Sequence, residues 1–272
     1  MARSTAAHCP GAASAAGACG RGMRTIRWRP PRALLRLAGL LLLAGLMLQL
    51  VFALRIAAMA WIDPASTAFQ RSEAWRLLST RGELPWRQSW RDADEISVHL
   101  KRAVIAAEDA SFVQHDGIDW DAIEKAWERN QRAQARAEAR RPSQATARPP
   151  KVVGGSTITQ QLAKNLFLSG ERTLPRKAQE AVLTLMLEAL LDKRRILAIY
   201  LNHVEWGEGV FGAEAAAGHY FRSTADRLGP GQAARLAVML PAPKRFEKRP
   251  SSPYVAGRAA TVAARMGAVE LP

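Results

Sequence analysis

The sequence predicts a mainly α-helical protein with one transmembrane helix near its N-terminus. Two observations carry this prediction: a long unbroken apolar run before residue 61, and apolar residues recurring at three- and four-residue intervals from Ser97 onward. A third is negative, since no stretch alternates apolar and polar residues as a half-buried strand would.

Of the 272 residues, 48% are hydrophobic. Once the N-terminal segment is set aside, about 210 residues remain, enough for one sizeable core or two small ones. The net charge is +15, which suits nucleic acid, anionic lipid or a phosphorylated substrate without choosing among them. Its placement is more informative. Arg3, Arg21, Arg24, Arg27, Arg29, Arg32 and Arg36 all precede the first acidic residue, Asp63. Residues 1–32 read as a disordered basic leader.

Residues 33–61 read as a membrane anchor. Leu37 to Leu54 is apolar except for Gln49, and a helix of that length nearly crosses a hydrocarbon core of about 30 Å. The alternative is a cleaved secretory signal. Against it, the run exceeds the usual apolar length of a signal, and no small-x-small cleavage site follows directly. The arginine-rich leader is expected to stay in the cytoplasm, which sends everything after Trp61 outside. Cys9 and Cys19 are the only cysteines, both in the leader, so the exported part has no disulfide, thiol nucleophile or cysteine metal site.

Residues 62–94 read as a connecting region, broken at Pro85 and Trp86, and 95–272 as the main folded domain. A helix begins at Ser97 and ends at Glu108-Asp109. Residues 129–151, rich in Arg, Ala and Gln and closing on Arg148-Pro149-Pro150, read as a solvated basic insertion or loop. After Gly154-Gly155, Thr157 with Gln160 has the form of a capping box. It opens a helix with Ile158, Leu162 and Leu166 on one face and Gln161, Lys164 and Asn165 on another. The next helix, from about Thr173 and Pro175 to Asp192, is apolar nearly all round and is expected to be buried. Further helices are expected over Ile196–Asn202, Ala213–Tyr220 and Gln232–Leu240, with a glycine-rich turn at 207–212.

Few residues could do chemistry. Glu108 closes an apolar helix, a place where a carboxyl tends to be raised in pKa and suited to acid–base work; a solvated acidic helix end is the plainer alternative. Glu180 lies four residues after Arg176, which alone reads as an ordinary ion pair. Lys164, Arg172, Arg176 and Lys177 could hold a pyrophosphate, or form a solvated basic face. The histidines have no metal-ligand spacing, and no GxSxG, HExxH, Walker A or dinucleotide fingerprint occurs.

Taken together, VIAAEDASFVQHDGID (104–119), GGSTITQQLAKNLFL (154–168), RKAQE (176–180), RRILAIYLNHVEWGEGVFGAEAAAGHYF (194–221) and LAVMLPAP (236–243) resemble, in order, the five motifs of glycosyltransferase family 51, the peptidoglycan glycosyltransferases. The likeness covers most of the chain from residue 95. With no transpeptidase domain before Pro272, it is greatest to the monofunctional members. The resemblance implies a lysozyme-like, mainly α domain lying against the membrane. It also implies that lipid II is polymerised into β-1,4-linked glycan with inversion and release of undecaprenyl pyrophosphate.

By the same resemblance Glu108 is the catalytic base and Glu180 the second carboxylate. Asp109, Phe112, His115, Ser156, Thr157, Gln160, Gln161, Lys164, Asn165, Arg172, Arg176 and Lys177 belong to the substrate site. A divalent cation (Mg or Mn) near Glu180 is the one cofactor it raises. The implied partners are lipid II, the growing glycan strand, the membrane and other cell-wall synthesis and division proteins, with no nucleic acid. The implied location is the bacterial inner membrane, single-pass, with the domain on the periplasmic side. Two departures stand out: the length of 129–151, and Gln232 where a glutamate is common. A glycan hydrolase and a membrane-tethered basic module binding polyanions are the rival readings.

Overall fold

The computed structural model describes residues 32–139, 155–168, 170–171 and 173–272. The basic leader, Arg172 and most of the expected insertion lie outside the described residues. The chain divides into two compact units, Met1–Leu46 and Met47–Pro272.

Helix α1, Arg32–Ala58, is 27 residues long, about 40 Å at the rise of an α-helix. Among the described residues it is the one helix long and apolar enough to cross a bilayer. In the first unit its leucines, Leu40 to Leu43 among them, stand exposed, as a helix that lets lipid solvate its side chains would have them.

In the second unit the last turns of α1 join the core, with Ile56 and Met59 buried. Gln49, the polar interruption of the apolar run, exchanges two hydrogen bonds with Gln179 at 2.8 and 3.1 Å. Phe52 meets Phe167 edge-on at 5.3 Å, and Arg55 lies over the same ring. Helix α2, Ala68–Arg81, follows. A capping box of Thr67 and Gln70 starts it, and Gly82 in the left-handed conformation ends it.

The helical frame is built from α3 (Val98–Glu108), α4 (Trp120–Ala139), α5 (Ile158–Phe167), α6 (Leu174–Leu190), α7 (Lys193–His203), α8 (Ala213–Phe221), α9 (Pro230–Met239), the short α10 (Pro243–Phe246) and α11 (Pro253–Arg265). Helices α3, α9 and α11 pack on one another, and α5 packs on α2, α6 and α7. The core that joins them includes Leu100, Val104, Ile105, Leu162, Leu187, Ile199, Trp206, Leu236 and Val255. The Trp206 indole N–H donates to the Leu236 carbonyl at 3.1 Å, so its polar edge is satisfied inside that core.

Four expectations need correction. Strands are present: β1 (Arg87–Gln88), β2 (Glu205–Gly207) and β3 (Val210–Phe211) form one sheet in the order β1-β3-β2. The glycine-rich stretch at 207–212 is the β2–β3 hairpin, antiparallel with a register shift, while β1 joins β3 in parallel. Strands of two or three residues are too short to show alternation, which is why the pattern hid them. Second, α6 is not buried all round, since Leu174, Val182, Leu185 and Leu190 are exposed and only Glu180, Leu183, Thr184 and Leu187 are buried. Third, residues 129–139 continue α4 and are not a loop. Fourth, α11 was not foreseen; Val255, Ala259 and Val262 are its buried stripe, too rich in alanine to stand out.

Candidate active site

Helix α3 ends where its apolar face runs out, with Asp109 as its C-cap. That ending fixes two neighbouring carboxyls in opposite roles. Asp109 points inward: Oδ2 accepts from the backbone N–H of Ile158 at 2.9 Å, and Oδ1 lies 2.9 Å from His115 Nε2. The Gly117 N–H donates to His115 Nδ1 at 3.1 Å, so the ring proton sits on Nε2 and is given to Asp109. Gly117 has φ +84°, and a Cβ there would lie 2.6 Å from the Thr184 methyl, so glycine alone fits this close approach to α6. Its carbonyl accepts from Thr157 Oγ1 at 2.6 Å. Lys193 closes the arrangement from α7, donating to the His115 carbonyl and to Glu188 Oε1 at 2.6 and 2.9 Å, over the Phe112 ring.

Glu108 points the other way. Its Oε2 accepts from Gln161 Nε2 at 2.8 Å, and the Gln161 Oε1 accepts from the Tyr200 hydroxyl at 2.9 Å. Burial raises the Glu108 pKa; the Gln161 hydrogen bond lowers it, the Asp109 charge raises it and the Lys164 charge lowers it, and burial wins.

Gln161 opens onto a cleft of about 430 Å³, lined also by Ser156, Lys164, Asn165, Arg176, Lys177, Glu180 and Glu205. Helix α5 presents Gln161, Lys164 and Asn165 to it because its capping box, Thr157 with Gln160, sets where the helix starts. Ile158, Leu162 and Leu166 then face the core. On α6, Pro175 and the Thr173 cap start the helix so that Glu180 falls in its second turn. Glu180 is buried; its Oε2 accepts from Arg176 Nη1 at 2.8 Å and its Oε1 from Lys177 Nζ. Lys164 is lowered in pKa chiefly by desolvation, against the pull of Glu180, with the Arg176 and Lys177 charges adding to the fall. Three cations against one paired carboxylate give this wall a net positive charge, and α6 begins beside it.

The structure therefore brings Gln161, Lys164, Asn165, Ser156, Arg176, Lys177 and Glu180 to one cleft, with Glu108 joined to it through Gln161. Phe112, Asp109, Thr157 and Gln160 lie buried beneath that surface, and His115 is pinned among them, so their contact is with the cleft's frame. Two residues of the site went unforeseen. Tyr200 has one polar atom within the apolar run Ile196–Leu201 of α7, which gave no signal. Glu205 precedes a tryptophan in a stretch that reads as a turn.

Among the described residues each Glu180 oxygen already faces a cation, Arg176 or Lys177, so a divalent ion at the carboxylate expected to hold it would meet two positive charges at contact distance. Asp109, His115 and Asp119 have polar atoms within 4.8 Å of one another, but Asp119 is engaged by Ser111 and by the Ala122 N–H and His115 by Gly117 and Asp109. Those residues do not fit a metal.

The site is thus a half-buried carboxyl beside a cationic cleft in a mainly helical domain, in a chain whose described residues include one helix of membrane-spanning length. Residues 77–267 match the transglycosylase family model, and the chain belongs to that family. Among its relatives, the biosynthetic peptidoglycan transglycosylase of Burkholderia thailandensis is 55% identical over 229 residues, covering 84% of each chain. The protein of the same name from Paraburkholderia xenovorans is 49% identical over 249 residues, 92% of this chain and 98% of its own. That of Burkholderia pseudomallei is 52% identical over 229 residues.

Proposed function

We propose that this protein is a peptidoglycan glycosyltransferase that polymerises lipid II, with Glu108 as its base. The observation that supports it most is the juxtaposition around Gln161: a raised carboxyl on one side and Lys164, Arg176 and Lys177 on the other. Glu108 takes the proton from the acceptor sugar's 4-hydroxyl. That oxygen attacks the anomeric carbon of the growing chain, the C1–O bond forms with inversion, and the lipid pyrophosphate leaves with the bonding electrons. A diphosphate is a stable anion, so the departing group needs charge neutralisation more than a proton, and a wall of cations supplies it. Glu180, neutralised by Arg176 and Lys177, holds those side chains in place.

The membrane reading rests on α1 and on the leader's arginines, which favour a cytoplasmic N-terminus and a domain on the outer side of the inner membrane. Helix α4 adds support. Trp120, Ile123 and Trp127 are exposed on one face, with Lys125, Arg129, Arg132 and Arg136 along the same helix, a composition that suits an anionic interface. A polyprenyl substrate stays in the bilayer, so an anchored enzyme meets it in two dimensions at raised effective concentration.

The test is purified full-length protein with lipid II, assayed for polymer. Glu108→Gln keeps the size and the Gln161 contact, and is expected to fold normally and lose about 10²–10⁴-fold in rate. Near-wild-type turnover by that variant would remove Glu108 from the role of base. Shortening of finished glycan by the wild type would favour a hydrolase instead.

A further inference from the structure

The path from α7 to Glu108 runs through a single amide. Tyr200 is buried, and its hydroxyl makes one hydrogen bond, to Gln161 Oε1 at 2.9 Å. The Gln161 Nε2 then donates to Glu108 Oε2 at 2.8 Å. A glutamine amide can present either end to a neighbour, and its own chemistry does not choose. Tyr200 chooses. Among the described residues its hydroxyl has no other acceptor, and a buried hydroxyl left without one is unfavourable. Turning the amide over would set Gln161 Oε1 against the Glu108 carboxylate, oxygen facing oxygen.

We propose that Tyr200 is a positioning residue for the base: through Gln161 it reserves Glu108 Oε2 as a hydrogen-bond acceptor and leaves Oε1 as the atom that takes the substrate's proton. The inference rests on Glu108 being that base. Its chemistry is simple. Oε2, already accepting an N–H, is the less basic oxygen, so the incoming proton goes to Oε1, which accepts no hydrogen bond from the protein among the described residues. In the turned-over orientation the acid form is favoured instead, with its proton on Oε2 and donated to Gln161, away from the substrate. Tyr200 therefore favours the ionised carboxyl, in opposition to the burial that raises its pKa. The charged groups that bear on Glu108 are Asp109 at the end of α3, which opposes ionisation, and Lys164 on α5, which favours it. Tyr200 on α7 is itself pushed well above its ordinary range by burial and by these two carboxylates, so it stays a donor throughout.

The experiment is the pH dependence of lipid II polymerisation by the full-length protein, for wild type, Tyr200→Phe, Gln161→Leu and the double variant, with Glu108→Gln as reference. Tyr200→Phe keeps the ring in the core and removes the one hydroxyl. The acid limb of kcat/KM is expected to move to higher pH. At neutral pH kcat should fall by roughly 3- to 10-fold, the effect of one hydrogen bond, while KM is unchanged because Tyr200 does not touch substrate. In the Gln161→Leu background the same change should do nothing further. Should Tyr200→Phe fail to fold, Gln161→Leu alone must still shift the acid limb upward. An unshifted limb, a loss equal at every pH, or an undiminished loss in the Gln161→Leu background would overturn the inference while an inactive Glu108→Gln leaves the base in place. An active Glu108→Gln would instead remove the base and this inference with it.

Discussion

Glu205 shows how a residue can sit in the cleft and be invisible in the sequence. It is buried in β2, 3.5 Å from Lys244 Nζ, while that amine is held closer by Glu73 at 2.5 Å. A separation of 3.5 Å is an ion pair and no proper hydrogen bond, so Oε1 has no hydrogen-bond partner. Burial pushes its pKa up to about 7; Lys244 pulls down and Glu73 and Glu247 push up. The sign follows from linkage. An unfolded glutamate ionises near 4.5 and the folded one near 7, so this residue's contribution is fully present below 4.5 and is lost as pH rises through 7. Replacing it by glutamine removes that loss. The stability of Glu205→Gln relative to wild type is expected to rise between pH 5 and pH 8 by on the order of 2–3 kcal/mol, measured by denaturant unfolding at both pH values. A constant difference would show that Glu205 titrates normally. Glu108, by contrast, was legible, because an apolar helix ending in a carboxylate already implies a raised pKa.

At the scale of elements, local rules read well where they are local. The capping box at Thr157 and Gln160 stands where expected, with Gln160 N donating to Thr157 Oγ1 at 3.1 Å. Gln232 closes a box at the start of α9: its amide oxygen accepts from the Gly229 N–H at 3.0 Å, a bond that a glutamate side chain at this position could also accept. The three-stranded sheet did not read, because its first strand lies more than a hundred residues before the other two and its partner is set by tertiary packing. Gly209 is what makes that pairing possible. Its φ is +72°, a Cβ would lie 1.7 Å from the Pro85 carbonyl oxygen, and its own carbonyl accepts from Arg87 N at 2.8 Å. Gly209→Ala is therefore expected to destabilise by about 3 kcal/mol or more through clash and backbone strain together. A thermal midpoint within a degree of wild type would mean that the hairpin yields easily. Because β2 carries Glu205, the same variant should also disturb the cleft.

Over the whole molecule, the sequence reads an anchor over residues 33–61, a connecting region over 62–94 and the domain from residue 95. The compact catalytic unit starts at Met47, within α1. Hydropathy cannot see this, since a side chain solvated by lipid and one packed in protein are equally apolar. Phe52, Ile56 and Met59 belong to the core or lie against it, and Gln49 finds its hydrogen-bond partner in Gln179. A truncation series separates the two accounts. Removing residues 1–46 should leave the thermal midpoint of the remaining unit unchanged in a given detergent. Removing residues 1–60 deletes two buried side chains, each worth about 2–5 kcal/mol. The midpoint should then fall by about 10 °C or more for a unit of this size. The loss should be visible by calorimetry before any assay of activity. Equal midpoints for the two truncations would mean that the last turns of α1 serve only as a tether. A fall confined to the longer one would make them part of the domain's core.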